Sequence, residues 1–231
     1  MTYNLYSDWL KTAPPRAEIM AGLHTRYEPI RLDAEGARQL GLHNGLPGDT
    51  VMAKGLLVGG YDEARAIYSG PVFEAPDGME ARTIHMGIDI FEVAGTPIFA
   101  PLAGHVHSFQ DNANPKDYGP TIILEHQVTF SCEKHIGPRE KDIGELTFYT
   151  LYGHLSRDSL NELTVGKPVA AGEEVARLGV AAVNGDWPPH LHFQVILDMQ
   201  GKKGDYPGVF KKSEREQWKR ICPDPAPLLG I

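Results

Sequence analysis

Four histidines and one aspartate fall in three short segments of this 231-residue chain: His85-Met-Gly-Ile-Asp89, Tyr152-Gly-His154-Leu-Ser156 and His190-Leu-His192-Phe193. Imidazole and carboxylate are ligands of a catalytic zinc ion, which takes three from the protein and leaves a fourth position for water. Two of the histidines and the aspartate can fill such a set. Two more histidines then remain for acid–base work, because imidazole titrates near neutral pH. No glutamate stands between these residues as it does in the helix-borne H-E-x-x-H proteases, so a proton from attacking water has to pass to histidine. The same imidazoles could donate to an oxyanion. No nucleophile triad or phosphate loop competes with this chemistry.

The last segment needs a strand to position it. Residues 190–197 end in a β-branched and aliphatic run after Pro188-Pro189, and side chains along a strand alternate faces. Leu191, Phe193, Val195 and Leu197 then share a core face, while His190, His192 and Gln194 share the other. Further strands are expected over 98–100, 104–109, 121–126, 147–152 and 175–178. Short strands at close spacing with Gly/Pro turns predict an all-β core, an antiparallel sandwich or open barrel with an active-site groove.

Other histidines compete for the metal. His105-Val-His107 is a second pair at strand spacing that could supply ligands on spacing alone. His126 closes an apolar run and reads as the end of a strand. His24, His43 and His135 sit among polar and Gly-rich residues without a partner at useful spacing.

Residues 84–196 resemble the lysostaphin-type (LytM-type) zinc metalloendopeptidases, which cut peptide cross-bridges of bacterial cell walls. The matching landmarks are His85-Met-Gly-Ile-Asp89, Gly95-Thr-Pro-Ile-Phe-Ala-Pro-Leu-Ala-Gly104, Tyr118-Gly, Leu151-Tyr-Gly-His154-Leu-Ser, Val165-Gly-Lys-Pro-Val-Ala-Ala-Gly172 and Pro189-His-Leu-His-Phe193. The resemblance implies Zn2+ on His85, Asp89 and His192, with His154 and His190 as the catalytic pair. It implies a peptide or peptidoglycan-fragment substrate. The flanking segments Asp117-Tyr-Gly-Pro, Asn184-Gly-Asp-Trp-Pro-Pro, Tyr206-Pro-Gly-Val209 and Cys222-Pro-Asp-Pro225 look more like the peptidase-like modules of bacterial aminotransferase fusion proteins. One departure from the wall-hydrolase pattern is Asp186-Trp187-Pro188, in place of a Ser/Thr-Gly before the Pro-His-Leu-His motif. Trp187 is either a flat apolar contact in the groove or a core residue.

Around this core, residues 1–70 read as an N-terminal extension packing on it, with helix-like patches at 33–40 and 61–68. Residues 71–200 carry the peptidase-like domain. Residues 201–231 read as a helix, opened by the capping-box pattern Ser213-Glu-Arg-Glu216, and an extended Pro-rich tail. The charged insertion 127–146 is either a lid or wall beside the groove or a surface excursion.

Composition narrows the partners. A net charge of −8 argues against nucleic acid and anionic surfaces as electrostatic partners. No stretch approaches a membrane span, and the sequence names no protein partner. The first ten residues lack the features of a secretory signal, and Cys132 and Cys222 form no C-x-x-C or disulfide framework. The expectation is a cytoplasmic protein, with export requiring a leader trimmed from this sequence. Two other function classes remain. A binding or regulatory module of the same fold would be catalytically silent. A biotinyl- or lipoyl-type carrier is suggested by the hairpin 165–179, but that hairpin lacks the Met-Lys tip a carrier needs.

Overall fold

The computed structural model describes residues 2–40, 55–68, 73, 80–133 and 141–231. Its strands are β1 (Glu28–Ile30), β2 (Leu57–Gly59), β3 (Glu63–Ala64), β4 (Arg82–His85), β5 (Ile88–Phe91), β6 (Pro97–Phe99), β7 (Gly104–Asn112), β8 (Gly119–Glu133), β9 (Lys141–Gly153), β10 (Pro168–Val169), β11 (Glu174–Arg177), β12 (His190–Ile196) and β13 (Val209–Lys211). Eight of them form the principal sheet, in the order β1-β2-β5-β12-β9-β8-β7-β10. Every pairing in it is antiparallel except β1 with β2. A three-stranded sheet β13-β4-β3 and a pair β11-β6 complete the β core.

Alternation along β12 and its neighbours gives the principal sheet two apolar faces. On one, Ile88, Ile90, Ile122, Leu124, Leu191, Phe193 and Val195 join a large cluster. Helix α1 (Thr2–Lys11) adds Tyr6 and Trp9 to it. On the other, Ile123, Leu151 and Ile196 pack against Ile84 of β4 and Phe210 of β13. Burying each such side chain stabilises the fold by about 1.5–3 kcal/mol. The small sheet therefore caps the same face from which the even-numbered residues of β12 project.

Several boundaries differ from the sequence reading. Six expected strands are present, but helix α1 was not anticipated. After the short α2 (Leu23–Arg26), the patch 33–40 does contain a helix, α3 (Ala34–Gln39), capped by Asp33, whose carboxylate accepts from Gly36 N. The patch 61–68 is not helical. Its apolar spacing suits a helix, but pairing of β3 with β4 wins, and Asp62 has a left-handed backbone. His126 lies within β8, paired with Phe148, and does not end the strand. The insertion 127–146 is chiefly strand as well. Strands β8 and β9 stay paired out to Glu133 and Lys141, past the reach of β7 and β12. The charged stretch 134–140 lies outside the described residues.

At the C-terminal end, helix α4 (Arg215–Ile221) follows a 3-10 turn, and no side chain caps it. Ser213 N donates instead to Glu80 Oε1, so the capping box does not form. The Pro-rich tail is not an extended, linker-like end either. It forms helix α5 (Ala226–Leu229), with Leu228 and Leu229 buried in the large cluster. No described helix is long and apolar enough to cross a membrane.

Candidate metal centre and groove

Register brings the chemistry together. On β5, Asp89 faces His192 of β12 and Gly59 of β2, and His192 faces Gly153 at the end of β9. Two residues join β4 to β5, so His85 arrives from the small sheet against the same spot. One of the two, Gly87, is required by close approach, since a Cβ there would lie 2.5 Å from the His192 ring. His154 follows β9 directly, with a left-handed backbone (φ 64°) that a non-glycine residue adopts only at a cost. Its N–H donates to Tyr118 O and its carbonyl accepts from Gly179 N, which fixes that conformation.

Three donor atoms converge. His85 Nε2 lies 2.9 Å from His192 Nδ1 and 3.2 Å from Asp89 Oδ1, and His192 Nδ1 lies 3.1 Å from Asp89 Oδ1. Ligand atoms about 2.0–2.1 Å from a tetrahedral zinc ion are ~3.3 Å apart. Among the described residues these three form the one His/Cys/Asp/Glu group able to hold a metal ion, and all three are buried.

Tautomers test whether the group fits a cation. Gln194 donates through Nε2 to Pro207 O and Cys222 Sγ, which turns its Oε1 toward His192 Nε2 at 3.0 Å. A neutral His192 must then carry its proton on Nε2 and present a bare lone pair at Nδ1. That lone pair faces a carboxylate oxygen. Two acceptors at 3.1 Å repel unless something positive lies between them, and a dication answers all three atoms together. The far nitrogen of His85, Nδ1, is buried without a hydrogen-bond partner among the described residues.

His154 and His190 are prepared differently. His154 Nδ1–H donates to Asn184 O at 2.9 Å, and His190 Nδ1–H donates to Pro188 O at 2.7 Å. Each ring therefore keeps its lone pair on Nε2, and that of His190 lies 3.7 Å from Asp89 Oδ2. The two rings lean together with centroids 4.2 Å apart. They line a cavity of about 460 Å3 that also includes Asp89, His192, Tyr118 and Trp187. No described residue of the β8–β9 extension lines it. Trp187 is 6% exposed, so it is both a buried side chain and a wall of the groove. Its ring centroid is 6.4 Å from that of His154, and Lys116 Nζ lies 4.6 Å over its face.

The electrostatics follow from burial and one cation. Burial pushes the His85 imidazole down to about 3, and Arg65 adds to the effect. Burial, then the neighbouring imidazoles, hold His154 well below its ordinary value, and His190 is lowered chiefly by burial. For Asp89, burial alone raises the carboxyl. Arg65, His85 and His190 outweigh it and keep the group well below the usual carboxylate range.

The competing histidines stay apart. His107 sits on β7, three strands from β12 in the sheet order, with Nδ1 on Ser108 Oγ and its ring edge-on to Tyr149. Its neighbour at 105 is exposed. His126 is buried between Ala103 O and Thr150 Oγ1, a structural role. His24 reaches Leu229 O, while His43 and His135 lie outside the described residues. The sequence reading missed Arg65, which lay in the presumed extension. It also missed Asn184 and Pro188, which act through backbone carbonyls and leave no signature in residue type. Gln194 was visible by its shared face with His192, but spacing alone gave no reason to assign it a task.

No family model and no curated protein matches the chain. Solved structures that resemble it include M23 and lysostaphin-type peptidases. The catalytic domain of lysostaphin from Staphylococcus simulans is 22% identical, with 64% of this chain and 81% of that one covered and a TM-score of 0.40. A single-site mutant of the catalytic domain of the prophage-encoded M23 protein EnpA from Enterococcus faecalis is 22% identical, with 59% and 87% covered and a TM-score of 0.37. A zinc-containing peptidase from Vibrio cholerae is 22% identical, with 55% and 31% covered and a TM-score of 0.36. The match thus spans about a third of the length of the Vibrio cholerae protein.

Proposed function

We propose that the chain is a zinc-dependent peptidase or amide hydrolase. His85, Asp89 and His192 would hold the ion, and His154 and His190 would move the proton. One observation carries this reading. Two imidazoles, each with Nδ1–H donated to a backbone carbonyl, stand with bare Nε2 atoms beside a convergent His/Asp/His group. Zinc, when bound there, lowers the pKa of water toward neutrality and polarises a carbonyl. The two histidines do the rest. Their lowered basicity keeps them neutral near pH 7, ready to accept a proton from the attacking water. Once protonated, either can donate to the developing oxyanion or the departing amine. The carbonyls of Asn184 and Pro188 hold both rings in orientation throughout.

Within this reading the substrate is a peptide, with peptidoglycan fragments as the leading class. The proposed kinship with peptidase-like modules of aminotransferase fusions rests on the flanking segments around Tyr118, Trp187, Tyr206 and Cys222. The test begins with metal content. Zinc-saturated protein, freed of excess ion, should carry one equivalent. It should then cleave at least one member of a panel of peptidoglycan fragments and Gly- or D-Ala-containing peptides, read by mass spectrometry and stopped by a chelator. A filled site without cleavage of any of them favours the silent binding module over the hydrolase.

A further inference from the structure

One buried charge outside the five site residues is aimed into the centre. Arg65 is 3% exposed. Its Nη1 donates to Asp89 Oδ2, its Nε to Glu63 Oε2 at 3.1 Å, and its Nη2 to Gly60 O at 3.2 Å. Glu63 is pinned in turn, since its Oε1 accepts from Leu32 N at 2.9 Å. Gly59, opposite Asp89 on β2, leaves room for the guanidinium, and a Cβ there would lie 3.0 Å from Arg65 Nη2. Removing an arginine from water is costly unless its donors are used, and here all three nitrogens are. The side chain also lines the groove, so its anchoring fixes a wall of the cavity as well as Asp89.

The consequence falls on Asp89, whose two oxygens face different ways. Oδ1 meets His85 Nε2 and His192 Nδ1, while Oδ2 meets Arg65 and lies 3.7 Å from His190 Nε2. A carboxylate free to rotate can offer a metal either oxygen or both. One whose second oxygen is held from behind by a guanidinium that is itself anchored on Glu63 and Gly60 offers only the other oxygen. We infer that Arg65 is a positioning residue that makes Asp89 a one-oxygen ligand and so keeps a coordination position open. The inference rests on the zinc reading above and extends it to a residue outside the His/Asp motifs.

Cobalt(II) as the probe metal separates the two claims, because its visible absorption is intense when four-coordinate and weak at higher coordination. The wild-type protein should take one cobalt ion with intense bands. Arg65→Gln should bind it about 10–100-fold more weakly, the usual worth of an outer partner, and its bands should collapse as Asp89 engages through both oxygens. Arg65→Lys keeps the charge but not the three-way anchoring on Asp89, Glu63 and Gly60. It should also lose band intensity, with a smaller loss of affinity, and it carries the test if circular dichroism shows that the Gln variant does not fold. Wild-type spectra and affinity in both variants would overturn the role of Arg65 and leave the zinc reading standing. A wild-type protein that binds neither cobalt nor zinc would remove the zinc reading, and this inference with it.

Discussion

Two histidine pairs in this molecule share one spacing and have different fates. His190 and His192 lie on β12, in the interior of an eight-stranded sheet, with both rings buried. His105 and His107 lie on β7, whose further neighbour among the described residues is the two-residue strand β10, and there one ring is exposed and the other leans on a tyrosine. Period two puts both members of the β12 pair on one face, whereas on β7 the register shifts between Val106 and Ser108 and interrupts the alternation at His107. What distinguishes them is the company across the ladder. β12 has a carboxylate on β5 opposite His192, with the Pro188 carbonyl on His190 Nδ1 and the Gln194 amide oxygen on His192 Nε2. β7 also has a carboxylate opposite its pair, Glu125 of β8 facing His105, but that carboxylate accepts from Gln127 Nε2, His105 is exposed and His107 turns to Ser108 Oγ, so the groups do not converge. A pattern of histidines thus marks where a site could be, and the neighbouring strands decide whether it is one.

The sharpest way to break the comparison is to remove one member of each pair. His192→Ala should empty the site, with a loss of zinc affinity beyond the ~10–100-fold that outer partners are worth. His107→Ala should leave metal content at one per chain. Zinc retained in the first variant and lost in the second would reverse the assignment.

Next in size is the effect of His154→Ala, which should keep zinc yet lose about 10²–10⁴-fold in turnover. Release of the metal would make His154 a ligand instead. The metal-free protein should also be pH-sensitive. His85, His154 and His190 are neutral in the folded chain, whereas unfolded imidazole takes up a proton below about pH 6.5. The unfolded state therefore binds more protons, so stability is lost as pH falls from about 6.5 toward the His85 value of about 3. Each fully linked group contributes up to about 1.4 kcal/mol per pH unit. Denaturant midpoints that stay flat between pH 4 and 6.5 would contradict this.

Smaller effects sharpen the contrast. Gly87→Ala drives a methyl into the His192 ring and Phe193 O; it should cost about 1–3 kcal/mol by thermal melting, as overpacking does. His105→Gln, on the exposed side of β7, should stay within about ±0.5 kcal/mol and leave zinc content unchanged. A large loss there would mean that the second pair has a structural duty its exposure hides.

The same contrast explains what could be read from the sequence. Strands such as β7, β9 and β12 announce themselves because alternation and β-branched residues act locally. His85, Asp89, His154, His190 and His192 could be named as candidates because side-chain chemistry marks them, and the fold brings His85, Asp89 and His192 together. Strand β3 is two residues long and exists because β4 is there to pair with, so its own sequence carries no sign of it. Arg65 belongs to the same blind spot, since its role depends on β3 and β2 delivering it behind Asp89. The Pro-rich tail misled for a related reason. Proline suits the first turn of a helix as well as an extended chain, and only the pocket that takes Leu228 and Leu229 decides between them.

The order of strands also bears on how the molecule is made. β5 and β9 are never neighbours, because β12 lies between them, and β12 comes after both in the chain. Asp89 and His192 are 103 residues apart. Until the last long strand inserts, the sheet is two separate pieces with open edges, and such distant pairing is slow because the loop entropy is lost before the contacts form. The three donor atoms meet only when that insertion is finished. Metal uptake during refolding should consequently follow the slowest structural phase, so that the ion reports completion of the sheet and does not nucleate it.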